Sequence, residues 1–150
     1  MLGVMENQLE QKNIPWRYEL CFNEGCPLRD RCLHYQAYLL KPAEQLGGAA
    51  VYPEAWKSGE CVSFREAKLV QKAWGFGGLY KNVPRHQRSE ARWCVRSYFS
   101  GGWGPYYRYH HGEKTLSPRQ QQDIMAILAK FGSTEGLAFD HYVTDWNFGD

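Results

Sequence analysis

The sequence predicts a single α+β domain, mostly helical, with a short strand or hairpin and a cysteine-rich metal knot. Three observations predict it. Runs free of Gly and Pro carry apolar residues at helical spacing, as from Leu28 to Leu40. The stretch Trp103-Gly-Pro-Tyr-Tyr-Arg-Tyr-His-His-Gly alternates aromatic and polar residues, the two-residue period of a strand. Cys21, Cys26 and Cys32 crowd a segment broken by Asn23, Gly25 and Pro27, and Cys61 follows in a Ser-Gly-Glu-Cys turn.

A chain of 150 residues buries one sizeable core rather than two. The expected layout is a polar, flexible stretch over 1–14 and one domain over 15–150, with a cysteine-rich part at 15–62 and a helical, aromatic part at 63–150. With 43% hydrophobic and 23% charged residues the composition is that of a soluble globular protein, and the 15% aromatic content is high. A net charge of +2 gives no whole-molecule attraction to nucleic acid. The first residues lack the basic and apolar regions of a secretory signal, and no run approaches the ~18 apolar residues of a membrane span, so a cytoplasmic location is expected. In a reducing compartment five cysteines read as four thiolate ligands and one leftover, Cys94.

Taken in order, Trp16-Arg-Tyr-Glu-Leu20 alternates like a short strand leading into Cys21. The apolar positions Leu28, Cys32, Tyr35 and Leu39 predict a helix that carries Cys32 inward on its first turns and stops at Lys41-Pro42. Residues 46–53 read as loop or short extended chain. Ser63-Phe-Arg-Glu66 has the form of a capping box, predicting a helix from Phe64 to Trp74 ended by Gly75 and placing Cys61 near a helix dipole. A second helix is expected over Gln87–Phe99, with Ala91, Cys94, Val95, Tyr98 and Phe99 on one side. After the aromatic run, Ser117 as N-cap, Pro118 as first helical residue and Gln120 as box partner open a helix with the stripe Ile124, Ile127, Leu128 and Phe131, closed by Gly132. Residues 137–146 suit a last short helix.

Structural zinc takes four thiolate or imidazole ligands in a tetrahedron, and Cys21, Cys26, Cys32 and Cys61 supply that number, with His34 spare. Cys26-Pro-Leu-Arg-Asp-Arg-Cys32 also resembles both zinc-finger segments and the Cys-Pro-x-x-x-x-Cys element of several iron–sulfur proteins. Zinc is the favoured metal because no redox partner motif accompanies the thiols, and an iron–sulfur cluster is the alternative. The plainer reading makes the four cysteines small buried hydrophobes.

Arg85, His86, Arg88, Arg92 and Arg96 lie along one expected helix, and Tyr106, Tyr107, Arg108, Tyr109, His110 and His111 follow. Guanidinium forks match phosphates and tyrosine faces stack bases, so this combination suits RNA or DNA, with Arg85, Arg88, Arg92, Arg96, Tyr107, Arg108 and Tyr109 as contacts. A solvated helix face beside core tyrosines is the ordinary alternative. Catalysis has little support. His110-His111 with Glu113, and Asp140-His141 near Asp145, are the pairs that invite it, and the chain has no Gly-x-Ser-x-Gly elbow, Walker loop or His-Glu-x-x-His.

The Cys-x-x-x-x-Cys-Pro opening, then Gly-Pro-Tyr-Tyr-Arg-Tyr-His-His-Gly-Glu, Leu-Ser-Pro-Arg-Gln-Gln-Gln-Asp-Ile and Phe139-Asp-His-Tyr142, resembles a small bacterial protein family of unknown function, over about Cys21 to Tyr142. The resemblance implies a compact bacterial protein and attaches no activity. The expected function is a non-catalytic, metal-stapled binding or regulatory protein with nucleic acid as partner. The alternatives are a protein–protein adaptor using the aromatic surface and an iron–sulfur redox or sensor protein.

Overall fold

Local chain stiffness and cross-chain pairing divide the work of shaping this protein, whose computed structural model describes residues 8–149. The architecture is α+β, with helix outweighing strand and two separate two-stranded sheets. Backbone packing resolves two units, one running up to Leu69 and taking in Trp146–Gly149, the other spanning Val70–Asp145. The expected division fell between residues 62 and 63.

In the first unit a 3-10 turn occupies Gln11–Asn13, inside the stretch expected to be flexible; residues 1–7 of that stretch lie outside those described. The strand expected at Trp16–Leu20 does not form. Arg17 turns the chain with φ 60°, and only Leu20 makes a bridge, to Ala50. A 3-10 turn at Arg29–Arg31 precedes helix α1, Leu33–Leu39, which is shorter than the sequence suggests. Cys32 is its N-cap rather than a first-turn residue, because its backbone is extended (φ −106°, ψ 125°) and bridges to Glu66. Leu33, His34, Tyr35 and Ala37 are the buried face, and the helix stops at Leu40 as Pro42 requires.

Strands β1 (Trp56–Lys57) and β2 (Glu60–Cys61) form an antiparallel hairpin with Trp56 opposite Cys61. Its two-residue turn has Ser58 at φ 53° and Gly59 at φ 81°. Two successive left-handed residues are what a type I′ turn demands, and the twist of that turn suits a tight hairpin.

The expected helix at Phe64–Trp74 is a misreading. Leu33 N–H donates to the Arg65 carbonyl at 2.7 Å and Ala67 N–H to the Arg31 carbonyl at 2.8 Å, so residues 65–67 run as extended chain beside 31–33. Leu69–Trp74 is strand β3. Its apolar spacing fits a helix equally well, but Ala73 exchanges backbone bonds with Leu116 at 3.1 and 2.7 Å, and tertiary pairing overrides the local pattern. Cys61 therefore does not precede a helix. β3 pairs with β4, His141–Trp146, in the segment expected to be a short helix.

The second unit holds helices α2 (Arg88–Tyr98), α3 (Trp103–His110) and α4 (Pro118–Leu128). α2 follows a 3-10 turn at Arg85–Gln87, close to the expected start, and buries Ala91 and Val95. α4 starts where the sequence says: Gln120 N–H donates to Ser117 Oγ at 3.2 Å, and Ser117 N–H to Gln120 Oε1 at 2.9 Å. α3 replaces the expected strand or hairpin. Trp103, Tyr106, Tyr107, His110 and His111 share helical as well as alternating spacing, and Pro105 falls in the first turn, where its missing N–H leaves no helix bond unmade. Ring contacts between Tyr106 and His110 (6.4 Å) and between Tyr107 and His111 (5.8 Å) run along the helix. α2 packs against α4 and α3, and Tyr98 joins α2 to α4 through a 2.7 Å bond to Asp123. The core here is built on Phe76, Leu79, Val95, Leu116, Ile124 and Leu128.

Candidate metal centre

Cys21, Cys26, Cys32 and Cys61 line one cavity of about 380 Å³ in the first unit. Each arrives by a different device. Cys21 follows the Leu20–Ala50 bridge, and its N–H donates to the His34 carbonyl at 3.1 Å. Cys26 closes the Asn23–Cys26 turn, its N–H bound to the Asn23 carbonyl at 3.2 Å. Cys32 is held by the α1 N-terminus and the Glu66 bridge, and Cys61 by the β1–β2 hairpin. The rest of the wall is largely apolar and aromatic, including Phe22, Leu28, Tyr35, Trp56 and Phe64; Asn23 and Arg29 are its polar side chains apart from the tyrosines. Leu28 N–H points at Cys26 Sγ from 3.4 Å. Among the described residues, no three His, Cys, Asp or Glu side chains stand close enough together to hold a metal ion.

His34, the spare ligand, is not part of the cavity wall. Its Nδ1 lies 2.7 Å from the Glu19 carbonyl oxygen, and its ring stacks on Tyr18 at 4.8 Å and 5°. The Tyr18 hydroxyl is buried without a hydrogen-bond partner. Burial pushes its pKa up to about 12, with Arg65 pulling in the opposite direction. Cys94 lies half-buried on α2, and all five cysteines are free thiols.

The basic aromatic residues are tied into the second unit to different degrees. Arg88 Nε donates to the Val83 carbonyl at 3.2 Å, and the Arg92 guanidinium lies 5.4 Å from the Tyr80 ring. Arg96 sits 4.3 Å from Trp93 and 5.7 Å from Trp103, with its Nε buried and unpaired. Arg85, His86, Tyr107 and Arg108 are exposed, whereas Tyr109 is half-buried and stacked on Phe99 at 4.7 Å. The sequence reading did not find the contact of Arg96 with Trp93 and Trp103, although the Trp-x-x-Arg spacing on a helix was its signal.

The pairs that invite catalysis hold the fold together. His110 Nδ1 accepts from Phe76 N–H at 3.0 Å. The Asp140 carboxylate accepts from Gly77 and Gly78 N–H at 2.8 and 3.1 Å, clasping the loop after β3. At Gly75, where φ is 89°, an added Cβ would lie 2.7 Å from that of Asp140. His141 stacks on Trp74 at 3.9 Å, and Asp145 lies 3.4 Å from Lys72.

Tyr80 and Tyr106 share a buried hydroxyl–hydroxyl bond of 2.8 Å. Burial raises both phenols above the ordinary tyrosine range, and the bond to Tyr106 raises Tyr80 further. Because the folded pKa values lie above the unfolded value of about 10, the contribution is complete below that pH and is lost as pH climbs toward the raised values. The thermal midpoint therefore falls on the alkaline side, together with delayed tyrosinate absorbance, and Tyr80→Phe with Tyr106→Phe flattens that fall. An unchanged alkaline slope in the double variant would remove the pair from the account.

By its architecture and its cavity, this is a small α+β protein whose thiols gather around an apolar hollow. The chain belongs to a family of unknown function, DUF6078, whose pattern matches residues 5–148. No curated protein and no solved structure matches it. Among the described residues, no helix is long and apolar enough to cross a membrane.

Proposed function

We propose that this protein is a non-catalytic binding or regulatory protein whose first unit is stapled by a metal centre on Cys21, Cys26, Cys32 and Cys61. One observation carries the reading: four thiols, from the 21–26 loop, the N-cap of α1 and strand β2, line the same cavity, with no carboxylate or imidazole among its wall residues. An all-sulfur donor set selects thiophilic metals, zinc and iron–sulfur clusters foremost, over hard cations. Free thiols suit a reducing, cytoplasmic setting. The test is metal content of the purified chain together with its thermal midpoint before and after strong chelation. Bound metal and a midpoint lowered by chelation are expected; metal-free protein that takes up neither zinc nor iron in any form would end the proposal.

A single-stranded nucleic acid is the partner class favoured by a separate observation. Trp93 and Trp103 keep 53% and 37% of their surface exposed around Arg96, and Tyr107, 46% exposed, lies 6.0 Å from Trp103, which offers stacking faces beside a guanidinium. Phosphate contact of this kind weakens with salt, whereas the stacking adds affinity that tolerates any base. Arg92→Ala with Arg96→Ala should lower oligonucleotide affinity and reduce the salt slope by about 1.4, at roughly 0.7 for each phosphate no longer neutralised. Tight binding that ignores salt points instead to a protein partner on the aromatic face.

A further inference from the structure

We infer that strand β4 pairs edge to edge, antiparallel, with β4 of a second copy of this chain, joining two two-stranded sheets into one of four strands. β4 is bonded to β3 along one edge only. Among the described residues no backbone bond reaches its other edge, and His141, Tyr142, Val143 and Thr144 are all exposed. A bare strand edge is a row of unmet donors and acceptors, and chains that stay single guard it with Lys, Pro, inward charges or a bulge. Residues 141–146 hold neither Lys nor Pro, and Tyr142, Val143, Thr144 and Trp146 are residue types that favour extended chain.

The strand's own residues single out a copy of itself as the occupant. A contact between identical chains about a two-fold axis is self-complementary, residue i meeting j while j meets i. With the axis at Val143, His141 of each copy stands opposite Asp145 of the other, and Tyr142 opposite Thr144. Directly opposed residues share a face, so two imidazole–carboxylate pairs flank a contact between the two Val143 side chains, each 42% exposed in the single chain. Both polar partners have capacity to spare. The His141 ring lies against Trp74 at 3.9 Å, with neither nitrogen bonded among the described residues, and Asp145 meets Lys72 through Oδ2, leaving Oδ1 open. Asp145 is the charge that would otherwise guard this edge, and His141 of the second copy answers it.

One short strand from each copy makes a contact below the ~1,200 Å² of a standard stable interface, so the expected dimer is reversible. Sedimentation of the full chain over a concentration series should show the mean mass rising from one chain toward two, by about 1 mM at the latest. The amides of 141–145 should exchange with solvent more slowly as the concentration rises, a readout that needs no variant. Val143→Lys and Val143→Glu each set like charges against one another on the axis, so each alone should dissociate about tenfold more readily, while a mixture of the two pairs at least as well as the parent. A single chain mass throughout the series overturns the inference and leaves the edge to a strand of some other protein. Dimers that form equally well in both variants, or without added protection of those amides in the parent, lie elsewhere on the molecule and overturn it too.

Discussion

Cys26→Ser is expected to purify with little or no metal and to melt well below the parent protein, whereas Cys94→Ser should match the parent in both respects. The contrast follows from position. Cys26 lines the cavity, closes its own turn and receives the Leu28 amide, so its loss removes one of the four proposed ligands and the partner of a part-buried donor. Metal binding that organises loops is itself folding free energy, so the cost is on the order of several kcal/mol. Cys94 is half-buried on α2 and lies outside the cavity wall, and exchanging its sulfur for oxygen should cost no more than about 1 kcal/mol. Elemental analysis and thermal melts read both numbers. Equal metal loss in the two variants would mean that the ligand set is wrong.

Phe76→Ala is expected to be the most damaging single truncation in the second unit. Phe76 is 1% exposed, and its ring meets Tyr106 at 4.8 Å, His110 at 5.9 Å, Phe99 at 6.1 Å and Phe139 at 6.2 Å. Four aromatic neighbours from three segments, two of them on α3, cannot all close on the hole. Removing a buried phenylalanine costs about 3–5 kcal/mol from lost transfer energy and the residual cavity. Denaturant titration should show it, with a midpoint drop of at least about 10 °C on heating. A cost below about 1 kcal/mol would mean that the neighbouring rings collapse onto the site freely.

The local code for two helices was complete in the sequence. α4 carries Ser117, Pro118 and Gln120 at its start, each acting through bonds within the first turn, and α2 has an unbroken apolar face. Such signals need no distant partner. β3 and α3 were illegible for one reason in two forms. Leu69–Trp74 carries apolar spacing compatible with either element, and the deciding bonds lie at Leu116 and in β4. Trp103–His110 alternates like a strand, but its rings also match at spacings of three and four, and those contacts prevail.

The cysteines were legible as a set because turn formers surround them and their number exceeds what a small hydrophobe role explains. Their mutual geometry was not, since it depends on the Ser58–Gly59 turn and on the strand-like run of 65–67, which the capping-box pattern concealed. The role of Asp140 was equally hidden. Its value lies in two amides more than sixty positions earlier in the chain, at Gly77 and Gly78.

The ladder joining 31–33 to 65–67 does something further for the centre. It fixes Cys32 by backbone bonds alone, independent of any bound metal, while Cys61 stands on a hairpin closed by the shortest possible turn. Two of the four proposed sulfur donors are thus set in place by pairing with distant segments, and Cys21 and Cys26 by the backbone bonds to His34 and Asn23. A metal bound as proposed would therefore meet a standing frame, with little chain left to order around it.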